Sequence, residues 1–503
     1  IGVSAASPDV VYCLITNSDS FKGLYRSADA GQSFTERSTS PNIMSWDCNG
    51  GSGGQAWYDL DIAVDPLNAD NLLAGGVNSF RSLDGGSSWT IRSHWYGGCG
   101  VQSVHADLHV LEYNPLNNRL YVGNDGGFYW TANGGVNWTE ISNGLVISQA
   151  YKIGQSRTKP NHVINGYQDN GSSVMNETSW LAVGGGDGME CVYDPTDHRY
   201  SYSSLYYGAI ERQFNNVGQG SIAGEGTNGI TESGGWVTPY LIDHNDGNTM
   251  FIGFKNVWRS TNIKASNTGS IQWQKISSFG NSDLEQLAQS AANTNILYAS
   301  TGNKFFVTEN AKDATVLWTT RTTQLPSTST ITAITTHPFD ENVVYIAQQT
   351  RIFRSSDKGL NWSEITANLS GIQINSIAYY RNSAGGLYIG TDIGVFYREP
   401  EMADWMYYSE GLPASVKVTE VEIYYDPISP ANDLLRAGTY GRGLWGATPY
   451  FGTLTADFVA SDNNIAAGCT IDFSDKTAGT PYTWEWTFEG ANPSTSTLQN
   501  PAG

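Results

Sequence analysis

Ser82-Leu83-Asp84-Gly85-Gly86-Ser87-Ser88-Trp89 is the stretch from which the fold can be read. Its pattern, Ser/Thr-x-Asp/Asn-x-Gly-x-x-Trp/Phe, returns at Ser27-Asp29-Gly31-Phe34, Thr131-Asn133-Gly135-Trp138 and Ser355-Asp357-Gly359-Trp362. The chemistry is that of a tight β-hairpin. The Asp or Asn side chain accepts turn N–H groups, the Gly takes a positive φ, and the aromatic ring fills the space between neighbouring sheets. These positions therefore read as structural rather than catalytic.

Working outward, each box sits in the same order of segments. An alternating apolar strand ends in an Asp-Pro-like turn, as at Ala63-Val64-Asp65-Pro66, Val192-Tyr193-Asp194-Pro195 and Tyr424-Tyr425-Asp426-Pro427. A strand of small residues follows, then an aromatic strand carrying the box, then a Trp strand. Degenerate units starting near Gln149, Met189, Trp236 and Leu284 fill the gaps, giving about ten four-stranded units of roughly 40 to 50 residues, the period of propeller blades. The composition agrees with an aromatic, turn-rich all-β protein: among 503 residues, 56 are Gly, 28 Tyr and 16 Trp, and only 15% are charged.

Acidic residues outnumber basic ones 48 to 27, a net charge of −21 with a pI near 4.6, which argues against nucleic acid as a partner. No run of about 18 apolar residues suggests a membrane span. The chain opens on Ile1 in what reads as the middle of a repeat, so it is expected to be an internal piece of a longer protein. Five cysteines (Cys13, Cys48, Cys99, Cys191, Cys469) form no CxxC pair and no zinc-type Cys/His spacing. Cys48 and Cys99 both lie in Gly-rich loops and are expected to form a disulfide in an oxidising compartment, the alternative being two free thiols.

Asp-boxes in propeller blades are the mark of sialidase/BNR-repeat, sortilin-like and xyloglucanase-like (glycoside hydrolase family 74) proteins, which the chain resembles over residues 1–450. Beyond the boxes, Trp57-Tyr58-Asp59-Leu60, His105-Ala106-Asp107-Leu108-His109, Asn124-Asp125-Gly126-Gly127, Gly166-Tyr167-Gln168-Asp169-Asn170-Gly171, Gly185-Gly186-Asp187-Gly188-Met189-Glu190 and Thr439-Tyr440-Gly441-Arg442-Gly443-Leu444-Trp445 resemble a family of large secreted proteins of Bacteroidetes-type bacteria. The resemblance implies that residues 1–146 are the last three blades of one seven-bladed propeller and residues 147–452 a complete second one. The alternative is a single ten-bladed ring of the sortilin type. Ala456-Asp457-Phe458, Ile471-Asp472-Phe473-Ser474-Asp475 and Trp484-Glu485-Trp486-Thr487-Phe488 resemble a PKD domain, so residues 453–503 are expected to begin an Ig-like β-sandwich. Further PKD modules and a secretion-sorting domain would then belong to the same chain, and the protein would be secreted or held at the cell surface.

The candidate site residues lie outside the boxes, at strand starts or in Gly-flanked loops, where neither turn formation nor packing demands them. Tyr58, Asp59, His105, Asp107, His109, Gln168, Asp169, Asp187 and Arg442 are expected to build a functional surface at one mouth of the channel or in an inter-propeller cleft. Read as alternating on a strand, His105, Asp107 and His109 project from one face and could hold a divalent cation; the alternative is polar lining of a wet channel. Glycoside hydrolysis needs two carboxylates about 5 to 9.5 Å apart. Asp59 or Asp107 is the expected first member and Asp187 the second, with His105 tuning the pair. Sialidase chemistry is disfavoured: Arg26, Arg81, Arg259 and Arg354 precede boxes or box-like turns as structural residues, and no Arg-Ile-Pro segment is present. Two classes follow, a secreted glycoside hydrolase acting on polysaccharide and a non-catalytic adhesion or scaffold protein binding a cell-surface glycan or protein.

Overall fold

The computed structural model describes residues 1–452, 456–477 and 483–502. Among them the chain is all-β and divides into two compact units, Ile1–Ile147 and Ser148–Gly503. In the first unit, three four-stranded antiparallel sheets follow one another, each pairing its strands in chain order. They begin with Gly2–Val3, Asp61–Val64 and Leu108–Tyr113.

The second unit carries seven sheets of the same design among its described residues, the last with three strands instead of four. Their first strands are Ala150–Gln155, Cys191–Tyr193, Tyr240–Asp243, Gln286–Gln289, Ile331–Thr336, Ile374–Tyr380 and Val418–Tyr424. The four-strand repeat read from the sequence is thus the unit of construction. Two short strand pairs, Phe458–Ala460 with Phe473–Asp475 and Trp486–Thr487 with Thr495–Ser496, lie in the C-terminal segment. The boundary expected at residue 453 and residues 478–482 and 503 of the expected sandwich lie outside the described residues.

Second strands explain the small and apolar runs. His162–Tyr167, Leu297–Thr301, Val344–Gln348 and Gly386–Thr391 are buried at every position, as strands covered on both faces must be. Between sheets, side chains bond to a neighbour's backbone. Trp138, Trp273, Trp318 and Trp405 each donate the indole N–H to a carbonyl of the preceding sheet, on Arg92, Ile222, Ile276 and Ile365 respectively. Arg81, Arg212 and Arg259 reach the other way, onto carbonyls of Asn133, Ile263 and Ala311 in the next sheet's box or box-like turn. Each indole therefore fills an inter-sheet gap while its polar edge is satisfied. Phe34 departs from the pattern and remains 43% exposed.

The box turns behave as their chemistry dictates. Asp84 accepts from Ser87 N, Ser88 N and the Ser82 and Ser88 hydroxyls. Bonds to the Ser88 hydroxyl and turn amides hold its carboxyl down at about 2, so it is a permanently ionised turn anchor. In the second unit the seventh sheet meets the first. Thr419 Oγ1 donates to Ala150 O at 2.9 Å, Ile153 N donates to Glu420 Oε2 at 2.7 Å, and Gln149 bridges to Tyr440.

Candidate functional site

In the first unit a tight turn over 55–59 places Gln55 and Asp59 together, with the amides of Tyr58 and Asp59 both donating to Gln55 O. The Gln55 side-chain amide then donates to Asp107 Oδ1 at 2.6 Å and to Asp59 Oδ2 at 3.4 Å. Asp59 is fully buried, and its Oδ1 has no hydrogen-bond donor. Burial, reinforced by the adjacent Asp107 charge, pushes the Asp59 carboxyl up to about 8. Asp107 is also raised, by burial first and then by the charge of Asp125.

The alternation expected for His105, Asp107 and His109 is not what the chain adopts. The strand is Leu108–Tyr113, so His105 and Asp107 precede it, and Asp107 takes a left-handed φ of 65°. That twist turns Asp107 toward Gln55 and Asp59, while His109 bonds Asp125 Oδ1 at 2.8 Å. Its likeness to a three-ligand metal face is therefore lost: Asp107 and His109 serve different partners. Asp125 also accepts from Tyr58 Oη at 2.6 Å, and the Tyr58 and His109 rings meet edge to face at 4.8 Å. The Asx turn at 124–127 belongs to Asn124, whose Oδ1 accepts from Gly126 N and Gly127 N; Asp125 is left for the network. Gly126 is required by contact, since a Cβ there would lie 2.2 Å from His105 Cγ. Trp57, 71% exposed, adds an aromatic face beside Tyr58.

In the second unit Asp169 adopts φ 57°, and its N–H donates to Asp187 Oδ1 at 2.7 Å, tying the two Gly-flanked loops together. Gln168 Oε1 accepts from Tyr151 Oη at 3.0 Å, and Tyr151 Oη in turn accepts from Trp236 Nε1 at 3.2 Å. Trp236 stacks on Tyr206 with ring centres 5.2 Å apart and planes only 7° from parallel, both rings about two-fifths exposed. Tyr207, next to this pair, holds a left-handed φ of 62° that costs a non-glycine residue energy. Arg442 is exposed and folds its guanidinium onto Gly441 O, on a loop whose Gly441 and Gly443 amides donate to Ser148 O. In the first unit Asp59 and Asp107 therefore share Gln55 while Tyr58 and His109 share Asp125, with His105 in the segment leading into Asp107; in the second unit Gln168 bonds Tyr151 and Asp169 bonds Asp187.

The reading of the sequence missed a third cluster. The first strands of all seven sheets line a cavity of about 370 Å³ that holds Lys152, Arg157, Glu190, His244, Glu420 and Glu422. Lys152 Nζ lies 3.3 Å from Glu420 and 4.0 Å from Glu190. Burial drives Glu190 up to about 8 against the pull of Lys152, and burial with the Glu420 charge drives Glu422 well above the carboxylate range. A signal was present: Val418–Tyr424 reads VTEVEIY, with two glutamates alternating on a first strand of the repeat. Among the described residues no helix is long and apolar enough to cross a membrane. No protein-family model matches the sequence, and no curated protein matches it.

Proposed function

We propose that the protein is an exported polysaccharide-binding β-propeller protein, with a seven-bladed propeller in residues 147–452, three further blades before it and the start of a PKD-type sandwich after it. Closure of the seven sheets is supported by the bonds from the Val418–Tyr424 strand to the Ala150–Gln155 strand and by a cavity lined from every first strand. Export is supported by the disulfide between Cys48 and Cys99. The observation that carries the ligand class is the Tyr206–Trp236 stack, exposed and hydrogen-bonded through Tyr151 to Gln168 beside Asp169 and Asp187. Aromatic faces beside amide and carboxylate acceptors suit a sugar ring, which offers an apolar face and a rim of hydroxyls.

A second reading, hydrolysis, draws on Asp59. A carboxyl that keeps its proton to about pH 8 is equipped as a general acid. Asp107 bonds the same Gln55 amide as Asp59, so the two carboxyls stand as one neighbouring pair. Screening the folded protein against a polysaccharide panel, for retention in affinity gels and for release of reducing ends, tests both readings. Retention that weakens in Asp187→Asn and Trp236→Ala without reducing-end release supports binding. Release that falls about 10²- to 10⁴-fold in Asp59→Asn or Asp107→Asn, with the fold retained, supports catalysis. Absence of retention and release across the panel rejects the polysaccharide reading.

A further inference from the structure

The disulfide between Cys48 and Cys99, with Cα atoms 5.8 Å apart, has a third chemical group beside it. A ring nitrogen of His94 and both sulfurs lie within 4.8 Å of one another. His94 is 98% buried, and its Nδ1 has no hydrogen-bond partner. A buried imidazole nitrogen without a partner loses solvation and gains nothing in return, an arrangement that calls for a reason. The backbone of this loop is unusual as well. Gly97, Gly98, Cys99 and Gly100 all take positive φ, so Cys99 is held in a left-handed conformation where glycine is the ordinary occupant.

We propose that Cys48, Cys99 and His94 form a redox-gated site for a thiophilic divalent cation, zinc in the first instance: closed as a disulfide when oxidised, and metal-binding when reduced. Reduction by a dithiol transfers two electrons and two protons to the disulfide, leaving two thiols while the dithiol closes to its own disulfide. Binding of Zn²⁺ then releases the two thiol protons. The complex holds one metal ion, two thiolates and one neutral imidazole, and its charges cancel, with the fourth position open to water. Zinc takes sulfur at about 2.3 Å and imidazole nitrogen at about 2.0 Å in a tetrahedral arrangement, so its ligand atoms sit roughly 3.5 Å apart. Two thiolates and an imidazole form a soft set that favours zinc over calcium or magnesium. Exchange with a second disulfide, which takes the two electrons and leaves as two thiols, forms the Cys48–Cys99 disulfide again and expels the ion, so the two segments leading to Asp59 and Asp107 are clasped in either state by different bonds.

The test uses the full chain, reduced with a dithiol, freed of reductant under anaerobic conditions and titrated with Co²⁺ as the optical probe. One equivalent should bind with intense thiolate-to-cobalt charge-transfer absorption and be displaced by Zn²⁺. The oxidised protein and Cys48→Ser should show none of that absorption, and His94→Ala should bind at least about tenfold more weakly. Alkylation mapping of the reduced wild type keeps the test independent of any variant's folding: Zn²⁺ should protect Cys48 and Cys99 while Cys469, which is exposed, stays reactive. Absence of charge-transfer absorption in the reduced wild type, equal absorption in Cys48→Ser, or alkylation of Cys48 and Cys99 undiminished by Zn²⁺ would each overturn the proposal.

Discussion

Asp59 and Asp107 share a single donor, the side-chain amide of Gln55, which lies 2.6 Å from Asp107 and 3.4 Å from Asp59. One amide cannot neutralise two carboxylates. Two like charges in a buried site repel, so the pair is stable when one member keeps a proton, and the donorless Oδ1 marks Asp59 as that member.

A pH dependence of stability follows. The folded state holds the Asp59 proton up to about pH 8, whereas an ordinary aspartate loses it near 3.8. The stabilisation is therefore complete below that ordinary value and is lost as pH rises through the folded one. Melting temperature, followed by calorimetry, should decline across this window in the wild type and decline less in Asp59→Asn. Asp107→Asn removes the neighbouring charge and should move the decline to lower pH. Parallel curves for all three proteins would contradict the shared-proton account.

The box at 82–89 allows a prediction about stability alone. Ser82 Oγ accepts from the buried Gly86 N at 2.8 Å, and Ser82→Ala leaves that amide without a partner, at a cost of about 1 to 3 kcal/mol. Gly86→Ala is the more severe change. Its φ of 85° excludes most residues, and a Cβ would lie 2.0 Å from Leu24 Cδ2. Denaturant unfolding should rank Gly86→Ala below Ser82→Ala and both below the wild type, with retention on polysaccharide unaffected wherever the fold survives.

These positions show what the sequence could reveal. Box residues stand at fixed short offsets, and their bonding is local, so spacing alone specified both the turn and the repeat. His105, Asp107 and His109 also have a short spacing, yet it misleads, because the left-handed Asp107 breaks the strand period before Leu108. Lys152 and Glu420 meet across 268 residues, through the approach of the seventh sheet to the first, and no local pattern encodes that meeting. His94 drew no notice because its significance lies in burial beside the two sulfurs, which neither spacing nor composition reports.

The stacked aromatic pair gives a prediction about ligand binding. Trp236 also donates to Tyr151, so Trp236→Ala removes the stacking face and the bond that orients Tyr151 toward Gln168. Polysaccharide affinity should fall about tenfold or more, equivalent to about 1.4 kcal/mol. Trp236→Phe keeps the ring and loses only the hydrogen bond, so it should retain the greater part of the affinity. Affinity electrophoresis of the three proteins on the retained polysaccharide separates stacking from hydrogen bonding.

The contact between the first and seventh sheets can be tested at Glu420. Its carboxylate accepts from Ile153 N at 2.7 Å and pairs with Lys152 at 3.3 Å, so Glu420→Ala strips a partner from both. A hydrogen bond to a charged group contributes about 1.5 to 3 kcal/mol, and stability should fall by about that much. Glu420→Gln keeps an oxygen for Ile153 N while removing the charge, so it should lie between Glu420→Ala and the wild type. The damage should also be confined to one unit. Hydrogen exchange should quicken at the amides of the Ala150–Gln155 and Val418–Tyr424 strands, while those of Asp61–Val64 and Leu72–Gly75 keep their protection. Unchanged exchange on the first two strands would mean that the two sheets are held together by something other than these carboxylate bonds.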